Sequence, residues 1–157
     1  MRLRDATVED FPAIVAINQQ SLDGVTPIDL AGLTDLVALS SRALVADDEG
    51  QIAGFVVVLA PGATYGSINY RWFEANQTFG SYVDRVAIAP THRRRGVGTL
   101  LYDELEQDLP VALEVYVDPP NEASLEFHAR RGYREVGRLL QDNGKTVALL
   151  VKNADLG

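Results

Sequence analysis

Arg93-Arg94-Arg95-Gly96-Val97-Gly98-Thr99 joins an apolar, strand-like run, Tyr82 to Pro90, to a helix-like run, Leu100 to Leu109. A glycine-bearing turn between a strand and a helix offers its backbone N–H groups to an anion, and the helix dipole adds partial positive charge at the same point. Gly96 and Gly98 permit a tight turn and a close approach of a ligand to the backbone. Arg93, Arg94 and Arg95 add forked donors suited to phosphate oxygens. A solvated basic turn would have the same composition, but the strand–helix context favours a phosphate. No Gly-Lys-Ser/Thr follows, so the turn is not a nucleotide P-loop, and the third glycine of a dinucleotide fingerprint is missing.

Working outward, Val97, Leu101, Leu105 and Leu109 recur every four residues and give the helix at 98–109 an inward stripe. Upstream of the strand at 81–89, Ile52 to Leu59 is apolar at every position, as in a strand buried on both faces, so helices are expected on both sides of the sheet. It pairs in a hairpin with Arg42 to Ala46 around Asp47-Asp48-Glu49-Gly50. Before that lie a short edge strand at Arg2 to Arg4, a helix from about Thr7 with Phe11, Ile14 and Ile17 on one stripe, and a second helix from Ile28 to Ser40. Pro61 to Gln77 reads as a long irregular segment rich in aromatic residues, and such segments often carry function. Downstream come a strand at Val111 to Val117, a helix from Asn121 to Arg130 ending near Gly132, and a closing hairpin, Tyr133 to Leu139 with Thr146 to Val151. The pattern β-α-α-β-β-β-α-β-α-β-β predicts an α/β mixed sheet of six to seven strands with about four helices on both faces.

The 157 residues suggest one domain, 1–157, large enough to bury roughly 70% of its unfolded surface. Fourteen basic and twenty-two acidic side chains leave a net charge of −8, which argues against nucleic acid and anionic membranes as partners. Cysteine is absent and the two histidines, His92 and His128, lack zinc spacing, so neither a thiol nucleophile nor a metal site is expected. No apolar run is long enough to span a bilayer and the first residues resemble no signal peptide; a cytoplasmic protein is the expectation.

Arg93-x-x-Gly96-x-Gly98 behind Val86-Ala87-Ile88-Ala89-Pro90 resembles the acyl-CoA signature of the GNAT superfamily of N-acetyltransferases. Asn121-x-x-Ser124-x-x-Phe127-His128-x-x-x-Gly132-Tyr133 resembles that superfamily's next helix, and Arg4-Asp5-Ala6-Thr7-x-Glu9-Asp10 its opening. The order of elements agrees along nearly the whole chain. The resemblance implies acetyl-CoA as acyl donor, with its pyrophosphate on the backbone of Arg94 to Thr99. Its pantetheine arm would run like an added strand along Val86, Ala87 and Ile88. Asn121, Ser124, Phe127 and His128 would be further contacts, although Asn121 equally reads as a plain helix N-cap. Homodimers are usual in the superfamily.

Amine attack on a thioester needs a base to take a proton. The resemblance places Glu114 there, with Asp84 as a second candidate; each also reads as a structural acid. His128 stands where the superfamily usually has the tyrosine that protonates the leaving thiolate. A histidine can donate too, or can merely pack against the cofactor. Tyr65, Tyr70, Arg71, Trp72 and Phe73 could line an acceptor pocket, and Arg71 there would suit a substrate carboxylate. The expected activity is acetyl transfer to a primary amine of a small molecule or a peptide. The alternative is a non-catalytic acyl-CoA-binding sensor.

Overall fold

The computed structural model describes residues 1–153; the last four residues of the domain expected over 1–157 lie outside it. The strands are β1 (Arg2–Asp5), β2 (Arg42–Asp48), β3 (Gln51–Leu59), β4 (Ser81–Ile88), β5 (Val111–Asp118), β6 (Arg134–Leu140) and β7 (Thr146–Lys152). The helices are α1 (Phe11–Gln19), α2 (Leu30–Leu39), α3 (Ile68–Asn76), α4 (Val97–Leu105) and α5 (Glu122–Arg130), with short 3-10 turns at Val8–Asp10 and Pro90–His92. All seven strands form one sheet in the order β1-β2-β3-β4-β5-β7-β6.

The continuous apolar run of β3 divides between two cores because successive side chains of a strand point to opposite faces. Phe55, Val57 and Leu59 join Ile14, Leu33 and Phe73 beneath α1, α2 and α3. Val56 and Val58 join Val97, Leu101 and Leu105 of α4 on the other face. The stripe expected in α4 is therefore buried, but the helix stops at Leu105 and Leu109 lies in the connection to β5. At the other end of the chain, the Asp10 carboxylate accepts the Thr7 N–H at 2.8 Å and the guanidinium of Arg4 at 2.7 Å. That guanidinium holds Asp10 down to about 2.

The expectation for Pro61 to Gln77 needs correction. Its second half is the helix α3, which makes five α-helices among the described residues; it is capped by the Ser67 hydroxyl accepting from the Tyr70 N–H at 3.3 Å. Tyr70 and Phe73, three apart, are fully buried on one side of it. Pro61, Gly62 and Gly66 obscured a helix whose anchors are bulky aromatic residues, which are weak helix formers in isolation. No described helix is long and apolar enough to cross a membrane.

The feature that creates a site is the pairing of β4 with β5. The two strands run parallel, but they pair only at Ser81↔Val111 and Tyr82↔Ala112 and then diverge. On its other edge β4 shifts register against β3: Val57 faces Arg85 while Val58 faces Val83. Asp84 is thus the extra residue of a bulge, which bends β4 and increases its local twist. Beyond Tyr82 the edge of β4 facing β5 has no strand partner.

Candidate active site

A cleft of about 940 Å³ occupies the splay. Tyr102, Phe127 and His128 line it on the α4–α5 face; Tyr65, Asn69 and Gln141 line it on the α1–α3 face. It therefore opens to both faces of the sheet, with the unpaired edge of β4 between them.

At one end stands the arginine–glycine turn. Arg94 (φ 62°) and Gly96 (φ 80°) both adopt the left-handed conformation that a tight turn of this kind demands. A Cβ on Gly96 would meet nothing within 4 Å, so glycine is needed there for conformation and not for space. A Cβ on Gly98 would sit 3.6 Å from Phe127 across the cleft. The N–H groups of residues 94–99 make no hydrogen bond among the described residues, as expected of a first helical turn. Beneath the turn, His92 is 1% exposed. Its ring pairs Nε2 with Asp48 Oδ2 at 2.9 Å and Nδ1 with Thr91 Oγ1 at 2.7 Å, tying the turn to the β2–β3 hairpin.

Arg93, Arg94 and Gly98 line the cleft together with Val86, Ala87, Ile88, Asn121, Ser124 and Phe127. Arg95 and Thr99 are exposed beside it. The Val97 side chain is buried in the core, so only its N–H can serve a ligand. Asn121 is both cleft wall and cap, its Oδ1 accepting from the Ser124 N–H at 3.3 Å.

The two carboxylates differ in kind. Asp84 is held on both oxygens: the Tyr65 hydroxyl donates to Oδ1 and Arg85 Nε donates to Oδ2 at 2.9 Å. Arg85 is itself fixed, donating to Asn18 Oδ1 and to the Thr26 carbonyl, each at 3.0 Å. Glu114, across the splay on β5, has no cationic partner among the described residues; the fully buried Tyr82 hydroxyl lies 2.8 and 2.7 Å from its two oxygens. Burial pushes the Glu114 carboxyl up to about 8; the Tyr82 hydrogen bond opposes this and the nearby Asp84 charge reinforces it. Glu114 can therefore exchange a proton near neutrality, whereas Asp84 is paired with the Arg85 guanidinium.

His128 is 4% exposed. Its Nδ1 lies 2.7 Å from the Ser124 carbonyl, which can only accept, so Nδ1 carries the proton. In the neutral ring Nε2 must then accept, and the Tyr102 hydroxyl donates to it at 2.7 Å. Burial holds the imidazole below its ordinary range, and it pushes the Tyr102 phenol up. Both ring nitrogens of His128 are thus engaged within the protein, Nδ1 by Ser124 and Nε2 by Tyr102.

The structure separates the acceptor residues read from the aromatic segment. Tyr65 lines the cleft, but Tyr70, Arg71 and Trp72 do not. Tyr70 is buried with its hydroxyl donating to the Ala60 carbonyl at 2.7 Å, Arg71 is exposed, and Trp72 packs against Gly137 of β6. Sequence reasoning missed Tyr82, Tyr102 and Asn69. Tyr82 sits two residues before Asp84, a spacing that hints at a shared face; nothing local marks the other two.

A profile described as the acetyltransferase (GNAT) family matches residues 5–133. The chain belongs to the GNAT acetyltransferase family. A mycothiol acetyltransferase of Geodermatophilus obscurus is 32% identical over 133 residues, covering 74% of this chain and 42% of that protein; the chain spans less than half that relative's length. Among solved structures, Ard1 of Thermoplasma volcanium superposes with a TM-score of 0.77 at 20% identity, over 97% of this GNAT chain and 96% of that one. The ribosomal-protein-alanine N-acetyltransferase of Brucella melitensis gives 0.71 at 23% identity, over 98% and 100%. These likenesses show the fold. Among the described residues no group of three or more potential ligands could hold a metal.

Proposed function

We propose that this protein transfers an acetyl group directly from acetyl-CoA to a primary amine. The observation that carries the reading is one cleft that runs from the arginine–glycine turn, at Arg94 and Gly98, along the open edge of β4 to the Glu114 carboxyl. The residues fit the donor. The turn supplies N–H groups and Arg93 and Arg94 for a diphosphate, and the free edge of Val86 to Ile88 suits an extended amide-bearing arm. Acetyl-CoA supplies the acyl thioester. Glu114 takes the proton of the attacking amine; a C–N bond forms as the C–S bond breaks, and the departing thiolate takes a proton from solvent. Asp84, Tyr65 and Arg85 form a rigid floor that keeps β4 bulged.

A second reading, an acyl-CoA sensor without turnover, draws support from the His128–Tyr102 pair, because neither member is a ready acid. Proximity of amine and thioester supplies enough of the acceleration that a dedicated acid is dispensable. Calorimetry and thiol release decide. The parent protein is expected to bind acetyl-CoA at micromolar Kd and release thiol when an amine is added, and Gly98→Val is expected to weaken binding at least tenfold. Equal binding by both proteins removes the phosphate-turn argument, and binding without amine-dependent thiol release favours the sensor.

A further inference from the structure

Arg94, in the middle of the arginine–glycine turn, has φ 62°. A side chain other than glycine keeps this left-handed conformation only where its surroundings over-determine it. Here one element, the β2–β3 hairpin, supplies the constraint at both ends of the turn. Before Arg94, the buried His92 places Nε2 2.9 Å from Asp48 Oδ2. That bond holds the Asp48 carboxyl below its usual range, so the carboxylate accepts and Nε2 carries the proton. In the neutral ring Nδ1 then accepts from the Thr91 hydroxyl. After Arg94, Val97 opens α4 directly over β3: a Cβ on Gly54 would come 3.0 Å from Val97 Cγ1.

The hairpin is itself braced where it carries Asp48. Next door, Asp47 accepts the Gly50 N–H at 2.7 Å on Oδ1 and Arg4 Nε at 2.9 Å on Oδ2. Asp48 is otherwise an adverse neighbour for an anion site. Its carboxylate puts negative charge beside a turn that is to receive a diphosphate, and like charges repel. Its other cationic neighbour, Arg95 Nη2 at 3.8 Å, belongs to an exposed side chain, and such pairs contribute little. What the Asp48 carboxylate does contribute is the bond to His92.

Resting on the acetyl-CoA reading above, we propose that His92 and Asp48 are positioning residues for the acyl donor. They touch no ligand. They hold Arg94 in its left-handed state and so aim the N–H groups of the turn before the diphosphate arrives. Preorganisation of this kind raises affinity by removing an ordering cost from binding. It acts on the diphosphate end alone, because the track for the arm, Val86 to Ile88, is fixed separately by the pairing of β4 with β3.

Calorimetry with three ligands separates the two ends: acetyl-CoA, ADP, which has a diphosphate without the arm, and S-acetylpantetheine, which has the arm without a diphosphate. His92→Leu and Asp48→Ala are each expected to weaken acetyl-CoA and ADP at least fivefold and to leave S-acetylpantetheine within twofold of the parent. Asp48 is only partly buried, so its replacement tests the bond without opening the core. Asp48→Asn keeps an oxygen that accepts from His92 Nε2 and is expected to stay within twofold for all three ligands. Equal losses for all three ligands, as general destabilisation gives, overturn the proposal. So do unchanged ADP binding in Asp48→Ala and an Asp48→Asn protein as weak as Asp48→Ala. A parent protein that binds no acetyl-CoA overturns instead the reading on which the proposal rests.

Discussion

At the scale of single residues the chemistry turns on why two carboxylates in one cleft differ. Asp84 is compensated by a buried guanidinium and a phenol, while Glu114 has only a phenol and a desolvated setting. The Glu114 carboxyl, pushed up to about 8, is largely protonated at pH 7. A base must be ionised to work, so kcat/KM is expected to rise with pH through about 8, losing close to tenfold per unit on the acidic side. Glu114→Gln is expected to remove that limb and to lower the rate by about 10²–10⁴-fold. The sign for stability is opposite. The folded value lies above the ordinary 4.5, so this group's contribution is full below about 4.5 and is lost as pH rises through about 8. Melting curves of the parent should fall across that window more steeply than those of Glu114→Gln. A pH–rate profile identical in parent and variant would assign the base elsewhere.

At the scale of elements, legibility followed how local the determining physics is. The strand–turn–helix around Gly96 is written in a few adjacent residues, and β3 in an unbroken apolar run; both were readable. The bulge at Asp84 was not derivable from the residues alone, because it is a difference in register between two strands joined by a long connection. The helix α3 was unreadable for another reason. Its aromatic anchors have poor helix propensity, and the packing of Tyr70 and Phe73 decides the matter. Tyr70 is buried and half-buried Trp72 packs on β6, and neither lines the cleft. A Cβ on Gly137 would come 2.9 Å from Trp72 Cζ2, so the indole lies directly on the β6 backbone. Trp72→Ala should therefore lower stability by about 3 kcal/mol, within the range for a large aromatic packed on a core, while leaving the amine KM within twofold. Denaturant melts and initial rates on the same preparation separate the two effects, and an amine KM raised tenfold without loss of stability would restore Trp72 to the acceptor site.

At the scale of the whole molecule, a net charge of −8 surrounds a locally cationic turn. The two substrates of an acetyltransferase carry opposite charge, so they feel this field differently. An approaching amine, protonated in solution, is drawn by the global charge. Acetyl-CoA is repelled at long range by the net charge and attracted at short range by Arg93, Arg94 and the N–H groups of the helix α4. Salt shortens the reach of both fields, from about 10 Å at 0.1 M to about 3 Å at 1 M. For the amine the screened field is attractive throughout; for acetyl-CoA the long-range and short-range contributions oppose and partly cancel. Raising ionic strength from about 0.05 to 0.5 M, a range over which the screening length falls roughly threefold, should therefore lower kcat/KM for the amine at saturating acetyl-CoA by several-fold. The value for acetyl-CoA at saturating amine should change by less than twofold. A stronger salt response for acetyl-CoA than for the amine would mean that the turn's charge governs capture at long range, and that the acidic remainder of the molecule does not steer the acceptor.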